Sequence, residues 1–158
     1  SVSATLIVPD EYNGIQEAID SASYGDSVLV SAGTYYENIT WAASNGIKLI
    51  GSGKNDCIID GSSLASVIRF EGGGIIDSTT LITGFTIQNG NAQQYPYKSG
   101  GGMTLWSSSP TLIDVTFIGN TAVIDGGGMF LANSSPTLTS VTFRGNAAYN
   151  RGGGMHII

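Results

Sequence analysis

The residues best able to do acid–base or metal chemistry in this chain are Asp60, Glu71, Asp114, Asp125 and the single histidine, His156. Glycoside hydrolysis needs two carboxyl groups about 5–9.5 Å apart. Asp60 and Glu71 could approach each other through adjacent strands, but both residues fit turns better. Asp114 and Asp125 are isolated, whereas Ca²⁺ takes about six to eight oxygen ligands. No serine or cysteine nucleophile is predicted beside His156, and no His/Cys spacing suits zinc. The sequence therefore predicts no catalytic residues, no metal site and no cofactor.

Aromatic side chains favour binding over catalysis. Tyr95, Tyr97 and Trp106 lie in or near a predicted loop, and Phe130 and His156 are predicted to share the outer wall beside it. Tyrosine and tryptophan can stack on sugar faces while their polar tips stay in water. These five residues are therefore the predicted carbohydrate-binding site. Packing of the loop against the protein is the alternative interpretation.

A second candidate surface is a ladder of outward threonines, Thr86, Thr116 and Thr142. Such a ladder could form an ice-binding plane. Ile118 and Arg144 interrupt its regularity, so the ladder does not become the main hypothesis.

The elements that position these residues belong to a sequence repeat. Gly100–Met103 returns as Gly126–Met129 and as Gly152–Met155, and the starting positions (126 − 100 and 152 − 126) differ by 26 each time. A fixed period of this length is typical of stacked-repeat proteins.

Each repeat contains three short runs rich in Val, Ile, Thr, Met and Phe, separated by Gly, Ser, Pro and Asn. The first kind of residue suits strands and the second suits turns. One repeat is long enough for one circuit of a triangular coil, and successive circuits can stack about 4.8 Å apart. We therefore predict an all-β, right-handed parallel β-helix with three strands per coil and roughly four to five turns.

Alternation along the strands predicts which side chains face the interior. Met103, Met129 and Met155 should form one inner column. The next residue of each strand, Thr104, Phe130 or His156, should point outward. Asn120 and Asn146 fall at equivalent turns, where stacked asparagine amides can hydrogen-bond to one another and to the backbone.

The rest of the chain fits one β-helix domain over residues 1–158. Residues 1–25 should form a first strand and a capping helix, with Asn13 as its N-cap and Gly25 as its stop. Residues 26–92 should form irregular coils and residues 100–158 the regular ones. Between them, residues 93–99 read as a loop insertion of the kind that often carries binding.

The C-terminal end should be uncapped. The last strand, Met155–Ile158, has no polar segment after it to cover its edge, and solenoids need terminal caps. We expect a fragment of a longer protein, whose free edge at Met155, His156, Ile157 and Ile158 can pair with another copy.

Composition limits the partners. The net charge is −6 with no basic cluster, and charged residues make up only 11% of the chain. Nucleic acid is therefore an unexpected partner. Membrane insertion is unexpected too, because no apolar run approaches the ~18 residues that a bilayer requires.

Two resemblances narrow the fold. Residues 15–20, followed by Gly25–Val30 and Gly33–Asn38, are similar to the opening coil of pectate-lyase-like and pectin-esterase-like right-handed β-helices. The Gly-Gly-Gly-Met words and Phe117–Asn120 with Phe143–Asn146 resemble the repeats of chlamydial-type polymorphic outer membrane proteins. The second resemblance implies a secreted parallel β-helix.

Two functional hypotheses follow. The first is a non-catalytic structural or adhesive module of a secreted or cell-surface protein, which contacts polysaccharide or a host or neighbouring cell and self-assembles through its open edge. The second is the N-terminal part of a polysaccharide-binding or polysaccharide-degrading enzyme, with catalytic residues beyond Ile158.

Overall fold

Short parallel strands stack along the chain and form a β-solenoid of about six turns. The computed structural model describes residues 2–42, 44–71, 73–94 and 96–158. Within these residues the longest ladder runs β1-β2-β5-β8-β11-β14. The expected four to five turns were therefore too few. The early coils do not keep the 26-residue step: Ser27 pairs with Lys48 21 positions later (48 − 27), whereas Lys48 pairs with Leu81 33 positions later (81 − 48).

The elements have the following bounds. In chain order they are β1 (Thr5–Val8), α1 (Ile15–Ser21), β2 (Ser27–Val30), β3 (Gly33–Tyr36), β4 (Ile39–Trp41), β5 (Lys48–Gly51), β6 (Cys57–Asp60), β7 (Ile68–Phe70), β8 (Leu81–Gln88), β9 (Asn91–Ala92), β10 (Met103–Trp106), β11 (Thr111–Ile118), β12 (Thr121–Ala122), β13 (Met129–Ala132), β14 (Thr137–Thr139), β15 (Thr142–Arg144), β16 (Ala147–Ala148) and β17 (Met155–Ile157).

Three walls enclose the core. The first wall contains β1, β2, β5, the N-terminal halves of β8 and β11, and β14. The second wall contains β3, β6, the C-terminal halves of β8 and β11, and β15. The third wall has the order β17-β13-β10-β7-β4, and a short ladder β16-β12-β9 lies between the second and third walls in the coils that contain β8, β11 and β15.

The register places like residues on top of one another. Met103 pairs with Met129, and Met129 pairs with Met155. In the second wall Phe117 pairs with Phe143, and their rings stack with centroids 5.0 Å apart. Met103, Met129 and Phe117 are fully buried. The predicted inner columns are confirmed, and apolar burial along them is the main favourable term for a stack of this kind.

The predicted asparagine ladder is also present. Asn120 is fully buried; its Nδ2 donates to the Ile87 carbonyl at 3.0 Å, and its Oδ1 accepts the Gly90 N–H at 2.8 Å. The Asn146 Oδ1 accepts the Asn120 N–H at 3.0 Å, and the ladder thereby continues into the last coil. These amides supply partners for backbone groups that a sharp turn would otherwise leave unpaired.

The first and second walls meet at a one-residue corner. Gly84, Asp114 and Ser140 occupy it in successive coils, with φ of 78°, 54° and 53°. Glycine adopts this left-handed conformation readily. A Cβ added at Gly84 would lie 2.6 Å from the Gly51 carbonyl oxygen, so this corner also needs glycine because the two backbone segments lie very close together.

Helix α1 packs against β1, β2 and β4 and buries Ile15, Ala18 and Ile19. Its N-cap is Gly14 rather than the expected Asn13, and Gly14 has no side chain to cap the helix. The Glu37 carboxylate takes that role from the next coil, because it accepts the N–H groups of Ile15 and Gln16 at 2.8 and 2.9 Å. The role of α1 as a cap for the stack stays a prediction. No helix in the described residues is long and apolar enough to cross a membrane.

Candidate functional site

The outer surface of the third wall carries one column of side chains in register. Its members are Thr40, Arg69, Thr104, Phe130 and His156. Arg69 lies at the middle of β7, between fully buried Ile68 and Phe70. Since alternate side chains of a strand point to opposite faces, burial of these two neighbours directs the guanidinium outward.

Arg69 is held on three sides. Its Nη2 donates to Thr40 Oγ1 at 3.1 Å. Its Nε lies 3.6 Å from Glu71 Oε1, close enough for an ion pair and too far for a hydrogen bond. The guanidinium carbon lies 4.5 Å from the centre of the Tyr97 ring, in cation–π contact. Arg69 is therefore fixed in place but keeps an unused donor.

Tyr97 reaches this cluster from the loop at residues 93–99. The Glu71 carboxylate, first as a hydrogen-bond acceptor for the phenol and then as a negative charge, raises the pKa of Tyr97 above its usual value, with Arg69 opposing. The phenol is therefore neutral at physiological pH and can donate a hydrogen bond.

A cleft lies between the loop and the third wall. Its volume is about 450 Å³, and we call it the tryptophan cleft. It is lined by Glu71, Gly73, Pro96, Tyr97, Trp106 and Ser107. It is therefore walled by two aromatic rings and has a carboxylate among its polar groups.

A smaller cavity lies on the other side of Tyr97. Its volume is about 250 Å³, and we call it the arginine pocket. It is lined by Leu64, Ala65, Ser66, Arg69, Ala92, Gln93, Gln94, Pro96 and Tyr97. Pro96 and Tyr97 border both spaces, so a ligand in one cleft lies next to the other.

The predicted aromatic residues are brought together, but not all are accessible. Trp106 is 43% exposed, and its ring centroid lies 5.8 Å from that of Phe130. Phe130 and Thr104 point outward as expected but are only 5% and 1% exposed. The loop covers them: the Thr104 hydroxyl donates to the Ser99 carbonyl at 2.9 Å. The sequence pattern assigned the direction of these side chains and could not show what covers them.

His156 ends the outer column. Its ring stacks on Phe130 at 6.1 Å, and its Nε2 lies 3.9 Å from Asp125 Oδ2. This separation is too long for a hydrogen bond. Ser99 Oγ accepts a hydrogen bond from the Asp125 backbone N–H at 3.3 Å, so Ser99 contacts the backbone of Asp125 rather than its carboxylate. The arrangement lacks the linked hydrogen bonds of a catalytic triad.

The remaining predicted site residues are Tyr95 and the acidic residues. Tyr95 lies outside the described residues. Asp60 belongs to β6 in the second wall and Glu71 follows β7 in the third, so the two acids lie on different walls. Among residues 2–42, 44–71, 73–94 and 96–158, no group of three or more His, Cys, Asp or Glu could hold a metal ion.

The predicted self-association edge lies at the end of the third wall. β17 pairs with β13, and its outer edge has no partner strand among the described residues. Ile157 and Ile158 are 62% and 64% exposed, and Met155 and His156 are partly buried. Association through this edge stays a prediction.

Arg69, Thr40 and Ser66 were not predicted as site residues, and Glu71 was considered only as a possible partner of Asp60. The available signal was the word Val67–Phe70, in which one charged residue interrupts an apolar strand and must therefore face outward. Because the partners of Arg69 come from three coils, the pattern within one strand could not reveal the cluster.

The fold and the site define a parallel β-solenoid with ligand-sized clefts on one outer wall. The chain belongs to the right-handed β-helix family, since residues 27–158 match the family described as "Right handed beta helix region". By sequence, no curated protein matches it.

Solved pectin methylesterases have a similar fold. A pectin methylesterase mutant in complex with a hexasaccharide is 15% identical, with a TM-score of 0.66 over 95% of this chain and 52% of that chain. Pectin methylesterase PemA from Erwinia chrysanthemi is 16% identical, with a TM-score of 0.52 over 94% of this chain and 55% of that chain. At this identity the likeness shows the fold alone. The chain spans about half the length of these enzymes. The predicted likeness to pectate-lyase-like and pectin-esterase-like right-handed β-helices is confirmed only as a right-handed β-helix fold with pectin methylesterases among its structural neighbours. The resemblance to polymorphic outer membrane proteins stays a prediction.

Proposed function

We propose that this chain is a non-catalytic, carbohydrate-binding β-helix module of a secreted or cell-surface protein. The polysaccharide lies in the tryptophan cleft on the third wall. The observation that carries the proposal is the pairing of Tyr97 with the half-exposed Trp106 across a cleft of about 450 Å³.

The size and chemistry of the cleft suit a sugar. Ligand pockets typically have volumes of about 300–1,000 Å³, with mostly apolar walls and a few polar groups that set orientation. Trp106 offers an apolar face, and the Glu71 carboxylate can accept hydrogen bonds from sugar hydroxyls. Aromatic rings have the apolar body and polar tip that such a ligand needs.

The partner is the surface of a host or neighbouring cell, or a free polysaccharide. The net charge of −6 disfavours anionic membranes and nucleic acid as competing partners. Adhesion would follow from display of the cleft on a rigid stack, because sites on packed strands are held more precisely than sites on free loops.

A second candidate function is part of a polysaccharide-modifying enzyme. The outward Arg69 beside Glu71 favours it, because charged groups of this kind orient reacting groups in active sites. The solved pectin methylesterases bound to hexasaccharides lend support at the level of fold. Product formation from methyl-esterified or unesterified polyuronate, measured by methanol release and by absorbance of unsaturated uronides, would favour this second function.

Binding is tested with a panel of immobilised polysaccharides, followed by calorimetric titration of the tightest oligosaccharide. Trp106→Ala should weaken binding about tenfold, because it removes the main stacking surface. The matched control is Ile113→Ala, since Ile113 is 38% exposed on the first wall, away from the cleft. Equal loss in both variants, or no binding by the wild type to any glycan, would overturn the proposal.

A further inference from the structure

Two residues that line the arginine pocket each carry a buried polar atom without a hydrogen bond. Among the described residues, Ser66 Oγ and Arg69 Nε are buried and make no hydrogen bond. Ser66 as a whole is only 3% exposed. Buried polar atoms are almost always hydrogen-bonded, and an exception calls for an explanation such as an absent ligand.

Ser66 and Arg69 both line the same cavity of about 250 Å³. The guanidinium Nε can only donate, and the serine hydroxyl can donate as well. A ligand that satisfies both would therefore present an acceptor oxygen to them. Leu64, Ala65 and Ala92 line the same pocket. The group that enters should then combine an acceptor oxygen with a small apolar part.

The charges near the pocket determine whether a carboxylate or a neutral carbonyl is the better acceptor. Arg69 already has the Glu71 carboxylate at 3.6 Å, so the pair is close to neutral. A carboxylate entering the pocket would gain from Arg69 but would meet the like charge of Glu71, and like charges at short range are unfavourable. A neutral carbonyl accepts the same hydrogen bonds without that repulsion.

We propose that the arginine pocket is a subsite for the acetyl substituent of a sugar. The carbonyl oxygen accepts hydrogen bonds from Ser66 and Arg69, and the methyl group packs against Leu64, Ala65 and Ala92. This inference rests on the proposed function, because the sugar ring that carries the acetyl group lies in the neighbouring tryptophan cleft. Tyr97 borders both spaces and positions the ring relative to its substituent.

The test compares acetylated glycans with the same glycans after removal of the acetyl groups. N-acetylglucosamine oligomers are paired with glucosamine oligomers, and O-acetylated xylan fragments with saponified ones, so that the two arms separate N-acetyl from O-acetyl sources. Oligouronates of the same length form a third arm. In at least one of the two pairs the wild type should prefer the acetylated member about tenfold, the effect of one well-made hydrogen bond to a buried donor.

Ser66→Ala should reduce that preference to about one. Folding is not at risk in this variant, because removing a buried hydroxyl without a partner is neutral or stabilising, and thermal unfolding checks this. Arg69→Lys should also lose the preference, since lysine lacks the Nε donor. Ile113→Ala on the first wall should keep it.

The outcomes are distinct. Equal affinity for both members of each pair, tighter binding of oligouronates, or an unchanged preference in Ser66→Ala would overturn the acetyl subsite and leave carbohydrate binding in place. Absence of binding to every glycan would overturn the proposed function and the subsite together.

Discussion

The coils formed by residues 100–158 and those formed by residues 27–92 stack in one continuous set of parallel ladders but have very different sequences. The later coils repeat almost word for word, whereas the earlier ones share only an apolar alternation. The register nevertheless continues across the join: Ile68 pairs with Met103, and Phe70 with Leu105. An inner column therefore requires apolar residues of compatible size rather than identical ones.

The outer face of the third wall departs most from the repeat at the point where the irregular coils meet the regular ones. Arg69 comes from an irregular coil, Trp106 from the start of the regular repeats, and Tyr97 from the loop between them. The regular coils supply a rigid wall, and the irregular part supplies the polar groups and the loop. The candidate site thus forms at the join, where the sequence departs from its own repeat.

The largest expected effect concerns close backbone contact in the regular coils. A Cβ at Gly101 would overlap the carbonyl oxygens of Thr121 and Gly127, so Gly101→Ala should cost more than about 3 kcal/mol of unfolding free energy or prevent folding. Gly145→Ala is the control. Its φ is +63° and nothing lies within 4 Å of the added methyl, so it should cost about 1 kcal/mol. Denaturant unfolding measures the free energy of unfolding of both variants. Similar costs would contradict the claim that close backbone contact makes Gly101 the more sensitive position.

The second prediction compares one buried asparagine with one exposed asparagine. Asn120→Ala should cost about 3 kcal/mol, because it leaves the Gly90 N–H and Ile87 carbonyl buried without their partner. Asn38 belongs to the irregular coils and donates to the Gly61, Ala65 and Ser66 carbonyls at 3.1, 3.3 and 3.3 Å.

Asn38 is exposed, so water can replace its bonds and Asn38→Ala should cost about 1 kcal/mol. Chemical denaturation of both variants would measure the difference. A greater cost at Asn38 would mean that the irregular coils depend on their side-chain to backbone hydrogen bonds more than the regular coils do.

The third prediction concerns pH and the irregular coils. Burial would raise the pKa of Asp60, but hydrogen bonds from Gln88, the Ser62 N–H and Asn89 outweigh it and lower the pKa below its usual value. The resulting stability is complete above the unfolded-state pKa of about 3.9 and is lost as the pH falls through the lower folded-state pKa. Asp60→Asn should therefore be about 1 kcal/mol less stable than wild type at neutral pH.

The difference in unfolding free energy between wild type and Asp60→Asn should disappear in strong acid, because the wild-type carboxyl is then neutral, as the amide is at every pH. Urea unfolding at neutral pH and at acid pH would measure it. A pH-independent difference would mean that the contribution of Asp60 comes from its shape rather than its charge.

The smallest expected effect lies at the exposed edge. Sedimentation at increasing concentration should show weak self-association that Ile157→Glu abolishes, because a buried charge would face the partner strand. Ile113→Glu on the first wall should leave the association unchanged. A wild type that stays monomeric at high concentration would contradict the prediction.

The sequence was sufficient to predict the inner columns, since the repeat of Met103, Met129 and Met155 combines a fixed period with strand alternation. It was sufficient for the Asn120–Asn146 ladder for the same reason. It underestimated the number of turns, because the early coils do not keep the repeat length.

The candidate site was predicted only in part. Tyr97 and Trp106 were recognised because an insertion interrupts the repeat beside them. The contacts between Arg69, Thr40 and Glu71 depend on coil stacking across irregular steps, and the burial of Phe130 depends on the path of the loop. Neither is encoded in local alternation.

The most direct test of the account is collisional quenching of tryptophan fluorescence during a titration with the selected oligosaccharide. Trp41 is fully buried and Trp106 is 43% exposed, so a soluble quencher reports mainly on Trp106. We predict saturable protection from quenching, with the midpoint at the calorimetric Kd. Binding that leaves the quenching of Trp106 unchanged would place the sugar elsewhere and contradict the proposed site.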